Sequence, residues 1–121
     1  MRQFYFEKLD VWQKGRLLIK QVYGMSQHFP VEEKFGMTQQ VRRACISINC
    51  NIAEGTSRHT GKEQARFTEI AYGSLMEVLN LLILASDLLY ISEEQVISPR
   101  ILIEEIANKL NALRVTQLKR E

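Results

Sequence analysis

Between residues 60 and 90 the chain carries an apolar seam whose spacing alternates four and three: Phe67, Ala71, Ser74, Val78, Leu81, Ala85 and Leu88. That period belongs to a helix lying against other helices, and it runs too long for a strand or loop. A second row, Leu75, Leu79, Leu82 and Leu89, runs beside it, and Met76, Ile83 and Leu84 widen it. The spacing predicts one helix, opened by a Thr60–Glu63 capping box and roughly 45 Å long at 1.5 Å per residue. Residues 75–91 are very apolar, yet Glu77, Asn80 and Asp87 interrupt them. A bilayer span rarely carries two acids, so the expectation is a buried helix. Its apolar circumference exceeds the single stripe a small bundle needs. Either another long helix covers the excess, or sister copies do; the second reading predicts self-association along its second half.

No stretch alternates as a strand does, and three more stretches are helical. Residues 9–28 place Val11, Gly15, Leu18, Val22, Met25 and Phe29 on one seam, ended by Pro30. Residues 30–38 form a connector with a short turn at 31–34. A second helix spans residues 38–54, with Gly55 expected as a left-handed cap and residues 56–60 as the turn. Ser92 and Gln95 make a capping box for the last helix, whose seam is Ile103, Ile106, Leu110, Leu113 and Gln117. Pro99 either kinks that helix near its start or takes the first position of a helix capped by Ser98. Four helices with short links predict an all-α fold: one domain over residues 1–121, an antiparallel four-helix bundle with up-down-up-down topology.

Composition excludes more than it identifies. With 45% hydrophobic and 25% charged residues the chain is globular rather than disordered, and a net charge of +2 does not by itself point to nucleic acid. MRQFYFEKLD lacks the apolar core of a signal peptide, so a cytoplasmic protein is expected. Cys45 and Cys50 diverge by about 140° on one helix, too far to bridge, and read as thiols in a reducing compartment.

Polar residues on the second helix demand a partner. Gln40, Arg43, Ser47, Asn51 and Glu54 follow at spacings of three and four, beside an apolar strip of Val41, Ala44, Cys45, Ile48 and Ile52. They form either a ligand site or a structural network with the third helix. In a hairpin centred on Ser57, Arg43 and Glu77 are offset by about 9 Å along the axis, so helix tilt must help them meet. Ser74 leaves room for the guanidinium. Such a pair fixes register more than it stabilises.

Charge placement is the other signal. Antiparallel packing gathers residues 1–17, 47–69 and 108–121 at one end, with eleven basic and six acidic residues, a net of +5; the remainder carries −3. Arg58, His59, Lys62, Arg66, Arg114, Lys119 and Arg120 are the candidate phosphate-binding residues there. Thr60, Gly61 and Lys62 open a helix whose free N–H groups also favour an anion. The alternative is a solvated, mixed-charge end. Catalysis is not expected: neither His28 nor His59 follows a Glu at the spacing of a di-iron site, and no P-loop, dinucleotide fingerprint or Ser-His-Asp spacing is present. No cofactor and no metal is expected.

RRACISINCNIAEGTSR, followed by Glu63, Phe67, Ala71, Gly73, Ser74 and Glu77, resembles the four-helix-bundle family encoded in intervening sequences of bacterial large-subunit ribosomal RNA genes. FEKLDVWQKG and HFPVEEKFGMTQQ are similar to its opening helix and connector, so the resemblance covers nearly the whole chain. Asn49 and Cys50 stand where small or apolar residues are more usual. The resemblance implies assembly into a ring, typically a pentamer, with no established catalytic residues. A distant relative, the accessory protein of diversity-generating retroelements, is a basic barrel that binds nucleic acid and a reverse transcriptase. The expectation is therefore a non-enzymatic oligomeric scaffold whose basic rim meets RNA or a ribonucleoprotein, or else an adaptor that binds only protein.

Overall fold

Four helices dominate the computed structural model, which describes residues 1–120: α1 (Asp10–Ser26), α2 (Met37–Thr56), α3 (Gly61–Asp87) and α4 (Glu93–Leu118). Short 3-10 turns at Tyr5–Lys8 and Val31–Glu33 lead into α1 and α2. Glu121, one of the six acids assigned to the basic end, lies outside the described residues. Each helix packs on two neighbours in the cycle α1, α2, α3, α4, and among the described residues no diagonal pair meets. Apolar stripes from all four helices fill the centre, with Leu18, Ile48, Leu75, Leu82, Ile106 and Leu110 fully buried.

Antiparallel order is fixed at both ends. Gly61, the first residue of α3, is buried so tightly against the end of α4 that an added Cβ would lie 2.1 Å from the Gln117 carbonyl oxygen. Two turns on, the Thr68 hydroxyl donates to the Gln117 side-chain oxygen at 2.6 Å inside the core. Ion pairs Lys109–Asp10 (2.8 Å) and Lys14–Glu105 (3.5 Å) cross the seam between α1 and α4. At the far end the Tyr90 hydroxyl donates to Glu33 at 2.8 Å, and the Phe29 and Tyr90 rings lie 5.8 Å apart.

Several local expectations need correction. Gly55 is not a left-handed cap: among the described residues no glycine has positive φ, and Gly55 lies buried inside α2, where a Cβ would sit 2.8 Å from the Phe67 Cβ. Its small size serves the α2–α3 approach. α3 ends at Asp87, short of 90, and its left-handed stop is Leu89 at φ 65°. Tyr90 N–H then reaches back to the Ala85 carbonyl at 2.9 Å, closing the helix end that glycine usually closes. Thr60 accepts from Glu63 N–H at 3.1 Å without the reciprocal bond, whereas Ser92–Gln95 forms the full box. Pro99 is not the first residue of a helix capped by Ser98; it is buried inside α4, near its start.

The buried stripe of α3 is Gly61, Ala65, Thr68, Ala71, Leu75, Val78, Leu81, Leu82 and Ala85, which keeps Ala71, Val78, Leu81 and Ala85 of the expected seam but takes Thr68 and Leu75 in place of Phe67 and Ser74 and leaves Leu88 exposed. Phe67 and Ser74 instead line the α2 edge. The single chain leaves Ile83 and Leu84 on α3, and Leu88 just past its end, between 38% and 52% exposed, and Ile97 and Ile101 on α4 57% and 63% exposed.

Candidate nucleic-acid interface

The polar stripe of α2 divides into an inner row and an outer row. Gln40, Ser47 and Asn51 face α3. Ser47 and Ser74 hydroxyls meet at 2.9 Å, Asn51 Nδ2 donates to the Ser47 carbonyl and hydroxyl at 2.8 and 3.0 Å, and Gln40 Nε2 donates to Glu77 at 3.3 Å. These groups are half-buried or exposed, as a helix-edge network should be.

Arg43 does not pair with Glu77. The Ser47–Ser74 bond sets a register in which Arg43 stands level with Glu77, so the expected 9 Å offset is absent. Azimuth separates them instead. At roughly 100° per residue Arg43 lies about 60° outward of Gln40, which takes the carboxylate. Arg43 is exposed and has no hydrogen-bond or ion-pair partner among the described residues; it faces Glu77 across a groove of about 430 Å³. Glu54, also outward, pairs with Arg58 at 3.6 Å.

The predicted basic end does assemble, but two of its seven candidates are already committed. Arg58 is held by Glu54 and by the Phe67 ring, 4.6 Å from its guanidinium carbon. Arg114 pairs with Glu69 across α3 and α4. Arg120 Nη1 donates to the neutral Gln64 amide at 2.6 Å and has no carboxylate partner among the described residues. Lys62, Arg66 and Lys119 are exposed and make no ion pair among the described residues; His59 is exposed in the α2–α3 link. Lys62 and Arg66 border a groove of about 520 Å³ that Leu118 closes from α4.

The start of α3 is less open to an anion than its sequence implies. Gly61 is covered by the Gln117 carbonyl and Arg120, and Glu63 N–H is taken by Thr60. Helix ends of opposite partial charge meet there. An anion at this end would therefore meet side chains rather than free N–H groups. Beside them, hydrogen bonding to Lys109 holds the Asp10 carboxyl below its usual range, and the same bond raises Lys109.

A second basic cluster is not apparent from the sequence pattern. Tyr23, Lys34, Phe35, Arg42, Arg43 and Ile46 line a groove of about 580 Å³ at the opposite end. Its signals are the Lys34-Phe35 and Arg42-Arg43 dipeptides, which lie in a half of the chain whose net charge is acidic.

A family profile described as 23S rRNA-intervening sequence protein matches residues 7–112. Among solved structures the chain is similar to a protein of unknown function from the S23 ribosomal protein family of Bacteroides thetaiotaomicron, with a TM-score of 0.78 and 25% identity. That likeness covers 86% of this chain and 97% of the other. No curated protein matches. The profile runs from the turn before α1 to the last turns of α4, taking in the α2–α3 network and most of the core. The chain belongs to the family of 23S rRNA-intervening sequence proteins.

Proposed function

We propose that this protein is a non-catalytic, cytoplasmic, self-associating binding module that holds RNA or a ribonucleoprotein at its basic end. The observation that carries this reading is the set Lys62, Arg66, Lys119 and Arg120: four cations at one end of the bundle with no carboxylate partner among the described residues. They sit beside Arg58 and Arg114, whose charges are balanced. Uncompensated cations in one place attract phosphates and release counterions on binding. Self-association is supported by exposed apolar residues on two neighbouring helices: Ile83 and Leu84 of α3, Leu88 just past it, and Ile97 and Ile101 of α4. Ile83, Val96 and Ile97 border one groove between α3 and α4, with Ser86, Asp87, Glu93 and Arg100 around them, so this face is apolar with charged neighbours. A ring of copies built on that face, a pentamer for example, repeats the basic end around a rim, and repeated weak sites bind far more tightly than one.

Titration with RNA at several salt concentrations tests the reading. Affinity should fall linearly on a logarithmic salt scale, and Lys62→Ala with Arg66→Ala should flatten that slope by roughly 0.7–0.9 for each phosphate no longer neutralised. Binding indifferent to both changes would favour a protein adaptor. Sedimentation checks the assembly: a lone 14.1 kDa particle would remove the rim.

A further inference from the structure

The groove between the end of α1, the α1–α2 connector and α2 has a composition the basic end does not explain. Lys34, Arg42 and Arg43 converge on it, three of the five basic residues in the acidic half of the chain, and no acidic residue lines it. Arg42 is fixed: Nε donates to the Ser26 hydroxyl at 2.8 Å, Nη2 to the Tyr23 carbonyl at 3.3 Å, and its guanidinium carbon lies 4.7 Å from the Tyr23 ring centre. Lys34 Nζ lies 5.4 Å from the Phe35 ring centre. Phe35 is 82% exposed, and Arg43 projects beside it unpaired.

Each ring therefore has a cation near it and is still accessible to solvent. That pairing of stacking surface with charge is what grooves for single-stranded nucleic acid use: a base lies on the ring, and its phosphate meets the cation. Phe35 and Arg43 also border the adjoining groove, whose far wall carries Glu77. A phosphate is repelled by Glu77 and is directed to the Lys34–Arg42 side. The base then extends over Phe35 toward Glu77 and Gln40, where a carboxylate can accept from an exocyclic amine. An acidic peptide would set its own carboxylates against Glu77.

We infer that the Tyr23–Phe35–Arg43 groove is a nucleotide subsite, taking one base and its phosphate from a single-stranded stretch of RNA. The inference rests on the proposed RNA-binding function and adds a second point of attachment, at the end of the bundle opposite Lys62 and Arg66.

The test is fluorescence anisotropy with three labelled probes: a short single-stranded oligoribonucleotide, an abasic oligomer with the same number of phosphates, and a duplex. Phe35→Ala should weaken the single strand roughly 5- to 100-fold, the range for removing one stacked ring, and change the other two by less than about twofold. Lys34→Gln should weaken the single strand and the abasic oligomer together. Both residues are exposed, so the variants should fold, which circular dichroism verifies. Equal affinity of wild type for the normal and abasic strands would overturn the inference, as would an unchanged affinity in Phe35→Ala. A Phe35→Ala variant with unchanged RNA affinity but altered sedimentation would also overturn it, by showing that a second copy fills the groove. Loss of binding in Lys62→Ala/Arg66→Ala with none in Phe35→Ala would sink this inference alone. Wild type indifferent to all three probes would sink the RNA reading as well.

Discussion

Gly61→Ala puts the junction of α3 and α4 to a quantitative test. Alanine is the better helix former, and Gly61 lacks the positive φ that would exclude a side chain, so propensity alone predicts a gain of up to about 1 kcal/mol. Space decides otherwise. The new Cβ would lie 2.1 Å from the Gln117 carbonyl oxygen, 2.9 Å from the Arg120 Cβ and 3.1 Å from the Arg120 oxygen. Two of these are backbone atoms and cannot rotate away. If the helices move apart, overpacking costs about 1–3 kcal/mol. If the last turn of α4 peels off instead, the buried Thr68–Gln117 bond is broken at about 1–3 kcal/mol. Both routes give a net loss of about 1–2 kcal/mol, or roughly 3–10 °C in Tm for a chain of this length. Gly73→Ala is the matched control: nothing lies within 4 Å of its new Cβ, so it should gain about 0.5–1 kcal/mol. Thermal and urea unfolding followed by circular dichroism, at one protein concentration, measures both. A Gly61→Ala protein as stable as wild type would refute the tight seating of α4 on α3.

Other consequences are equally direct. Leu89→Gly should raise the urea midpoint by the equivalent of about 0.5–1 kcal/mol, because the left-handed conformation costs leucine about 1–2 kcal/mol and part of that returns as unfolded-chain entropy; Leu89→Ala should not. Glu33 is held below its usual 4.5 by the Met37 backbone N–H and then by the Tyr90 hydroxyl, and Tyr90 is raised above 10.0 by the same bond. The carboxylate's contribution is therefore present above about pH 4.5 and lost as pH falls through the lowered value. The phenol's is present below about pH 10 and lost as pH climbs through the raised one. Tm against pH should show both limbs, and Glu33→Gln should flatten the acid one. Burial pushes the Cys45 thiol up to about 12 while Cys50 is exposed. A thiol reagent at neutral pH should therefore modify one cysteine in the native chain and two after unfolding.

Helix number and order, and the starts of α3 and α4, were legible because each rests on local chemistry. Ser92 and Gln95 cap α4 whatever surrounds them, and the heptad of residues 67–88 cannot be satisfied by a strand. The larger misreadings involve how one helix faces another. Gly55 looked like a terminator because glycine commonly is one, but the Phe67 Cβ beside it requires a small residue inside the helix. The Arg43–Glu77 pair failed on about 60° of azimuth that a stripe drawn with spacings of three and four does not resolve. At the charged end, the cations were evident from chain order, but nothing in it distinguishes Arg58 and Arg114, neutralised by Glu54 and Glu69, from Lys62 and Arg66. The Phe35 groove was invisible for a related reason. Its rings and cations come from α1, the connector and α2, and only folding brings them together.

The cycle of neighbours has one closure unlike the rest. Three seams join helices adjacent in sequence and form as hairpins, whereas α1 can reach α4 only after the whole chain has doubled back, at the greatest loop-closure entropy. That seam is also the thinnest of the four, and its rim is stitched by Asp10–Lys109 and Lys14–Glu105, charges that dissolved ions screen. The barrel thus has a zip. Opening should start between first and last helix, and brine should weaken that fastening before it disturbs the hairpins.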